Sequence, residues 1–189
     1  MNTKEKAAKE IFEFIESNKE CLLLTGTHMF KKHELLVSIL NKIPNKNILF
    51  RTNAMKNLGT FLKANTQFKS GVAYSVVNNI NYYFDSIDIK TWNRSPYDID
   101  FAIVYPVSSI LSKGLYIKVL KDLQERGAKK IFFVSCQETY DFSILDNYID
   151  QKVIYDVEEE DIEYHNRALE GKNRIKWSYY WKWEMIIWN

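Results

Sequence analysis

The chain has 189 residues, of which 46% are hydrophobic, 26% charged and 15% aromatic; this length suits one full core, and the composition excludes wholesale disorder. Twenty-six basic against 24 acidic side chains leave a net charge of +2, too balanced for a protein that coats nucleic acid by charge alone. Six Gly and 3 Pro are too few for collagen-like, linker-rich or many-turned all-β designs.

Residues 4–18 set Ala8, Ile11, Phe12 and Ile15 at helical spacing, with Lys and Glu on the other face. Cys21–Thr25 is a short apolar run closed by Thr25-Gly26, the pattern of a buried strand. Helical spacing returns over Glu34–Leu40 and stops before Pro44, and Asn47–Arg51 predicts a second strand. A helix-like stretch follows from Ala54 to Lys63. Val72–Val77 and Ile80–Ile89 are β-rich runs flanking Asn78-Asn79, which predicts an antiparallel hairpin, because Asn tolerates the positive φ of a tight turn. Asp100–Tyr105 is an apolar strand broken by Pro106; Leu115–Glu125 is a helix stopped at Gly127. Lys130–Ser135 and Lys152–Tyr155 predict two more strands, with a short helix at Phe142–Tyr148 between them. Strands alternating with helices predict an α/β fold with a mostly parallel sheet of about five strands, the hairpin at 72–89 being an insertion or an antiparallel extension. One α/β domain is expected over residues 1–160, with a helix and a Trp-rich segment at 161–189 packed on it or on a partner.

Gly26-Thr27-His28-Met29-Phe30-Lys31-Lys32-His33 stands between the first strand and a helix. Against G-x-x-x-x-G-K-[ST], Gly26 fills the first glycine position and Lys32 the lysine. In this motif and in its order of elements the chain resembles the P-loop NTPases, in their RecA-like or AAA+ forms, over residues 7–155. The resemblance implies a three-layer core of about five parallel strands, with the loop cradling phosphate at a helix N-terminus. Gly26, Thr27, Lys31, Lys32 and His33 are then the phosphate- or nucleotide-binding residues. Two motif positions depart from the pattern. Lys31 replaces the second glycine, and His33 replaces the Ser/Thr whose hydroxyl holds Mg²⁺, a cation that imidazole serves poorly. The strand 100–105 ends in Tyr105-Pro106 where a metal-holding Asp is expected, and Asp98 and Asp100 lie at its other end. Phosphoryl transfer depends on metal and cation stabilisation of the phosphates, so no NTPase activity is expected. Lys31, Lys32 and the helix N-terminus still predict an electropositive end.

Other constellations read as structural. Asp85, Asp88 and Lys90 imitate a nuclease D…DxK, but the odd spacing sends the two carboxylates to opposite strand faces, and strand-end charges are the simpler reading. His28, His33 and His165 lack the spacing of a zinc site. Cys21 and Cys136 lie in apolar runs and are expected as reduced, buried thiols. Residues 156–163 (DVEEEDIE) suit a solvated helix start or an acidic face for a basic partner. Trp177, Tyr179, Trp181 and Trp183 alternate along the C-terminal segment, after Lys172, Arg174 and Lys176. That pattern fits an edge strand on the chain's own core, a protein interface or a stacking platform for single strands.

The leading expectation is a catalytically inactive P-loop-like domain acting as a protein-interaction or assembly subunit. The alternatives are a single-stranded nucleic-acid-binding accessory protein and a nucleotide-binding protein or slow NTPase. Expected partners are another protein or a second copy of the chain, with nucleic acid as the alternative. No cofactor is required, ATP or another nucleotide without Mg²⁺ being the candidate. No apolar run approaches the ~20 residues that span a bilayer, and Met1–Glu10 is charged with no apolar stretch behind it. A cytoplasmic protein without a membrane partner is therefore expected.

Overall fold

Strict alternation along the strands divides the apolar side chains between two cores, one on each face of a single sheet. A computed structural model describes residues 1–136 and 140–171. In chain order the elements are α1 (Lys4–Glu16), β1 (Cys21–Thr25), α2 (Lys31–Leu40), β2 (Asn47–Thr52), α3 (Leu58–Phe61), β3 (Tyr74–Val76), β4 (Ile80–Ser86), β5 (Phe101–Tyr105), α4 (Ser108–Leu111), α5 (Tyr116–Glu125), β6 (Lys130–Val134), β7 (Gln151–Ile154) and α6 (162–171). The fold is α/β. Among the described residues seven strands form one sheet in the order β3-β4-β2-β5-β6-β1-β7, all parallel except β3.

Leu22 and Leu24 of β1, Phe50 of β2 and Phe132 of β6 face α1 and α2, which contribute Ile11, Phe14, Leu36 and Leu40. Leu23, Leu49, Val104 and Phe133 point the other way, against Val119 and Leu123 of α5 and the indole of Trp92. Both faces of the central strands are thus buried, which explains their continuous apolar runs. Thr3 caps α1 by accepting a hydrogen bond from Lys6 N at 3.2 Å, and Gly127 (φ 83°) ends α5 in the left-handed region.

The expected count of about five strands is corrected to seven among the described residues. The hairpin is built as its sequence predicts, with Asn78 (φ 61°) and Asn79 (φ 54°) at its turn. Its second arm, however, pairs in parallel with β2 from Asn47↔Asn81 to Thr52↔Ser86, so the hairpin extends the sheet instead of hanging outside it. The helix expected over 54–63 shrinks to a 3-10 turn, Met55–Asn57, and the single turn of α3. Asn57, Gly59 and Thr60 are poor helix formers, and Lys63 turns left-handed (φ 51°). The short helix at 142–148 is a 3-10 turn, Ser143–Tyr148. The acidic run at 156–163 mostly precedes its helix, which begins at 162. Among the described residues no helix is long and apolar enough to cross a membrane.

Candidate functional site

The loop between β1 and α2 is shaped by its own chain. Gly26 has φ 123°, and a Cβ there would stand 1.9 Å from the carbonyl oxygen of Tyr155, which follows β7. The glycine is therefore required by the close approach of backbone to backbone. Thr27 N donates to Asp156 Oδ1 at 3.0 Å, while Thr27 Oγ1 accepts from Val157 N at 3.0 Å and lies 3.0 Å from His165 Nδ1. Asp156 is held in turn by Asn2 Nδ2 at 2.9 Å.

The next three residues are closed in the same manner. His28, left-handed at φ 83°, turns its ring back so that Nδ1 accepts from Phe30 N (3.1 Å) and Lys31 N (3.3 Å). The imidazole thus caps the start of α2, in the place where an anion would sit. Met29 N donates to Tyr164 Oη at 3.2 Å, and the Tyr164 ring stacks on His28 with centroids 4.3 Å apart. Four backbone donors of the loop, those of Thr27, Met29, Phe30 and Lys31, are taken by Asp156, Tyr164 and His28.

The two lysines do not form the open electropositive end that their sequence suggests. Lys32 is fully buried, and its ammonium donates to the carbonyl oxygens of Gly26 (2.5 Å) and His28 (2.7 Å). Lys31 is half-exposed and pairs with Glu160 Oε2 at 3.4 Å, while Glu160 also accepts from the Tyr155 hydroxyl. The Tyr155 hydroxyl donor and the nearby Lys4 and Lys31 charges hold the Glu160 carboxyl below its ordinary value, against its partial burial.

His33 lies where the motif has its hydroxyl, and it is sealed in an aromatic cluster. Its ring is 4.2 Å from that of Tyr105 and 6.2 Å from that of Phe61. Nε2 donates to Phe61 O at 2.7 Å, leaving Nδ1 buried with no hydrogen-bond partner. Burial drives the His33 pKa below 6.5, opposed by the Phe61 carbonyl. Tyr105, at the end of the strand where an acid is expected, donates its hydroxyl to Met29 O at 2.8 Å. Asp98 and Asp100 sit at the far end of β5, where Asp100 accepts from Asn47 N and Lys129 Nζ.

Gly26, Thr27, Lys31, Lys32 and His33 are thus brought together, but around protein atoms. A cavity of about 290 Å³ adjoins Gly26 and Thr27 on the β7 side, and the Asp156 carboxylate is in its wall. Cys21 is buried, and Cys136 is half-buried with Sγ 3.8 Å from Ser108 Oγ. Burial, with the Asp150 and Glu20 charges, pushes the Cys21 thiol up to about 12. Among the described residues no three His, Cys, Asp or Glu side chains cluster so as to hold a metal ion. Trp177, Tyr179, Trp181 and Trp183 lie outside the described residues.

A second polar constellation, on the opposite face, was not visible as a motif. Arg51 of β2 is fully buried and grips Asp85 of β4 through Nε–Oδ1 (2.8 Å) and Nη2–Oδ2 (2.7 Å). Nη2 also donates to Asp122 Oδ2 of α5 at 2.7 Å. Arg126 pairs with the same Asp122 carboxylate at 2.9 Å and donates to the carbonyls of Trp92 (2.9 Å) and Ser95 (2.6 Å). The Arg51 guanidinium stacks on the Trp92 ring at 4.0 Å, and its Nη1 is buried without a partner. Burial disfavours the Arg51 charge, but Asp85 and Asp122 outweigh it and hold its pKa above the ordinary value. Asp85 is therefore no strand-end charge: it is a buried counter-ion, while Asp88 caps the turn Ile89–Arg94 by accepting from Lys90 N at 3.1 Å. The available signal was a lone charge inside each of two apolar runs, NILFR and NYYFDS.

No protein-family model and no curated protein sequence matches this chain.

Proposed function

We propose that this chain is a catalytically silent, P-loop-like α/β domain that works through protein contacts, as a subunit of an assembly, and does not turn over nucleotide. One observation carries the reading: the loop after β1 is closed on itself. Phosphate binding at such a loop uses free backbone N–H groups and a forward-reaching lysine. Here the N–H groups of Thr27, Met29, Phe30 and Lys31 serve Asp156, Tyr164 and His28, and Lys32 serves two loop carbonyls. A phosphate at this place would have to displace the Asp156 carboxylate and the His28 ring. His33 and Tyr105 supply neither the hydroxyl nor the carboxylate that holds Mg²⁺, which removes the main electrostatic contribution to phosphoryl transfer.

The test is a thermal-shift titration with ATP and GTP, with and without Mg²⁺, beside an assay of phosphate release. Neither nucleotide should raise the melting temperature, and no phosphate should be released above background. A Mg²⁺-dependent shift, or turnover that persists on repurification and disappears in Lys32→Ala, overturns the reading. Loss of a shift without loss of fold in that variant must accompany it, because Lys32 also holds the loop.

A further inference from the structure

The face opposite the loop carries a groove of about 580 Å³ between α5 and the turn Ile89–Arg94. We propose that this groove docks an acidic, amphipathic segment of a partner protein, with its apolar side chains between Ile89, Tyr97 and Ile117 and its carboxylates on Lys118 and Lys121.

Three of the chain's exposed large hydrophobic side chains meet there: Tyr97 is 71% exposed, Ile89 41% and Ile117 40%. Apolar side chains gathered in one concavity of this size are the usual mark of a binding site, whereas scattered ones are not. The rim supplies the charge. Lys118 and Lys121 stand one turn apart on α5, exposed, and neither makes an ion pair or side-chain hydrogen bond among the described residues. Asp122 and Arg126, on the same wall, are committed to the buried cluster.

That cluster also holds the groove in shape. Asp122 ties α5 to Arg51 of β2, Arg126 ties α5 to the carbonyls of Trp92 and Ser95, and Arg51 stacks on Trp92, which floors the groove. The exposed Tyr97 ring is itself held by the Arg126 guanidinium at 4.7 Å. Both walls are therefore fixed before anything binds, which lowers the ordering cost of association. A pinned, exposed tyrosine is the kind of side chain that anchors protein interfaces.

A nucleic acid fits less well. It brings a phosphate with every base, and Glu125 stands on the same wall as the two lysines. A peptide places its carboxylates singly and can fill the apolar floor as well.

The probe is a short fluorescein-labelled peptide alternating Asp or Glu with Phe or Leu, read by anisotropy against the full chain. The same peptide with Lys for each acid, and an oligothymidylate, are run beside it. The acidic peptide should bind saturably and more weakly at higher salt, and lose about tenfold or more in Tyr97→Ser and in the Lys118→Glu, Lys121→Glu double variant. All three positions are exposed, and unchanged melting temperatures verify that the variants fold. Absence of saturable binding overturns the proposal, as does binding that both variants leave intact. Equal or tighter binding of the Lys peptide or the oligothymidylate at the groove also overturns it. So does a dimer in sedimentation that the same variants dissociate, which would make a second copy the occupant. The groove reading stands apart from the loop reading: a nucleotide-driven thermal shift sinks the silent loop alone, and failed peptide binding sinks the groove alone.

Discussion

The two polar constellations of this molecule lie on opposite faces of one sheet and are built in opposite ways. The loop after β1 is closed mainly by backbone groups meeting side chains that return from the C-terminal segment: Asp156, Tyr164 and His165. The Arg51 cluster is made of side-chain charges from β2, β4 and α5. The first looks like a phosphate loop in the sequence, and its donors meet the chain's own atoms. Gly26 answers to the Tyr155 backbone, Lys32 to two carbonyls and His28 to the first turn of α2. The second forms no motif in the sequence and yet shapes a groove of about 580 Å³. A motif reports backbone shape, and shape alone does not assign a ligand.

The comparison can be broken hardest at Arg51. Arg51→Met leaves Asp85 fully buried with Ser95 Oγ, at 2.9 Å, as its remaining side-chain hydrogen-bond donor among the described residues, and should cost about 3–5 kcal/mol in urea denaturation. Adding Asp85→Leu should recover part of that loss, since a buried pair replaced by apolar groups is often neutral. A loss below ~1 kcal/mol for the single variant would mean that the cluster does not hold the face together. On the loop side the strongest break is Gly26→Ala. Its Cβ meets Tyr155 O at 1.9 Å, so β7 or the loop must shift, at a cost on the order of 3 kcal/mol. A full-strength melting transition in that variant would show that the loop is softer than its contacts suggest.

Acid should separate the two faces without mutation. Burial, then the Lys31 and Lys32 charges, holds His28 below 6.5, against Glu34 and Asp161. Burial holds His33 below 6.5 as well. The unfolded chain takes up protons as pH falls through 6.5, whereas the folded loop resists until lower pH. Stability is thus fully present above 6.5 and declines through the window between that value and the depressed folded ones. Protonation is also geometrically opposed, because His28 Nδ1 already accepts from two N–H groups. Arg51, held above its ordinary value, does not titrate there. Urea midpoints measured on both sides of pH 6.5 should fall on the acid side, and a His28→Asn, His33→Phe double variant should flatten that slope. An unchanged slope in the variant places the titration elsewhere.

Much of the fold was legible in the sequence because each central strand is apolar on both faces and ends at a recognisable stop. Cys21–Thr25, Phe101–Tyr105 and Lys130–Val134 are of this kind, and Asn78-Asn79 marked its hairpin through two positive φ values. Strand order was not legible, and the missed site depends on it. Arg51 and Asp85 are direct neighbours across β2 and β4, but a charge in an apolar run reads as a strand end until its partner strand is known. The loop was found by its spacing, yet its closure was hidden. Thr27 meets Asp156 and His165 across 129 and 138 residues, a separation at which local pattern carries no signal.

The mildest substitution sharpens the comparison most finely. Tyr164→Phe keeps the ring on His28 and removes only the hydroxyl that accepts from Met29 N at 3.2 Å. A hydrogen bond of this kind contributes about 0.5–1.5 kcal/mol net. Its position at the surface favours the lower end, since water can take the vacated place. The global melting temperature should therefore hardly move, while the Met29 amide exchanges faster in a hydrogen-exchange experiment and amides of α5 keep their protection. Tyr164→Ala should go further, adding loss of the stacked pair, worth ~0.5–1.5 kcal/mol, and should speed exchange at Phe30 and Lys31 once His28 is free to turn. If Tyr164→Phe leaves Met29 exchange unchanged, α6 does not seal that donor. If it instead loosens α5, the two faces are coupled and the separation argued for them fails.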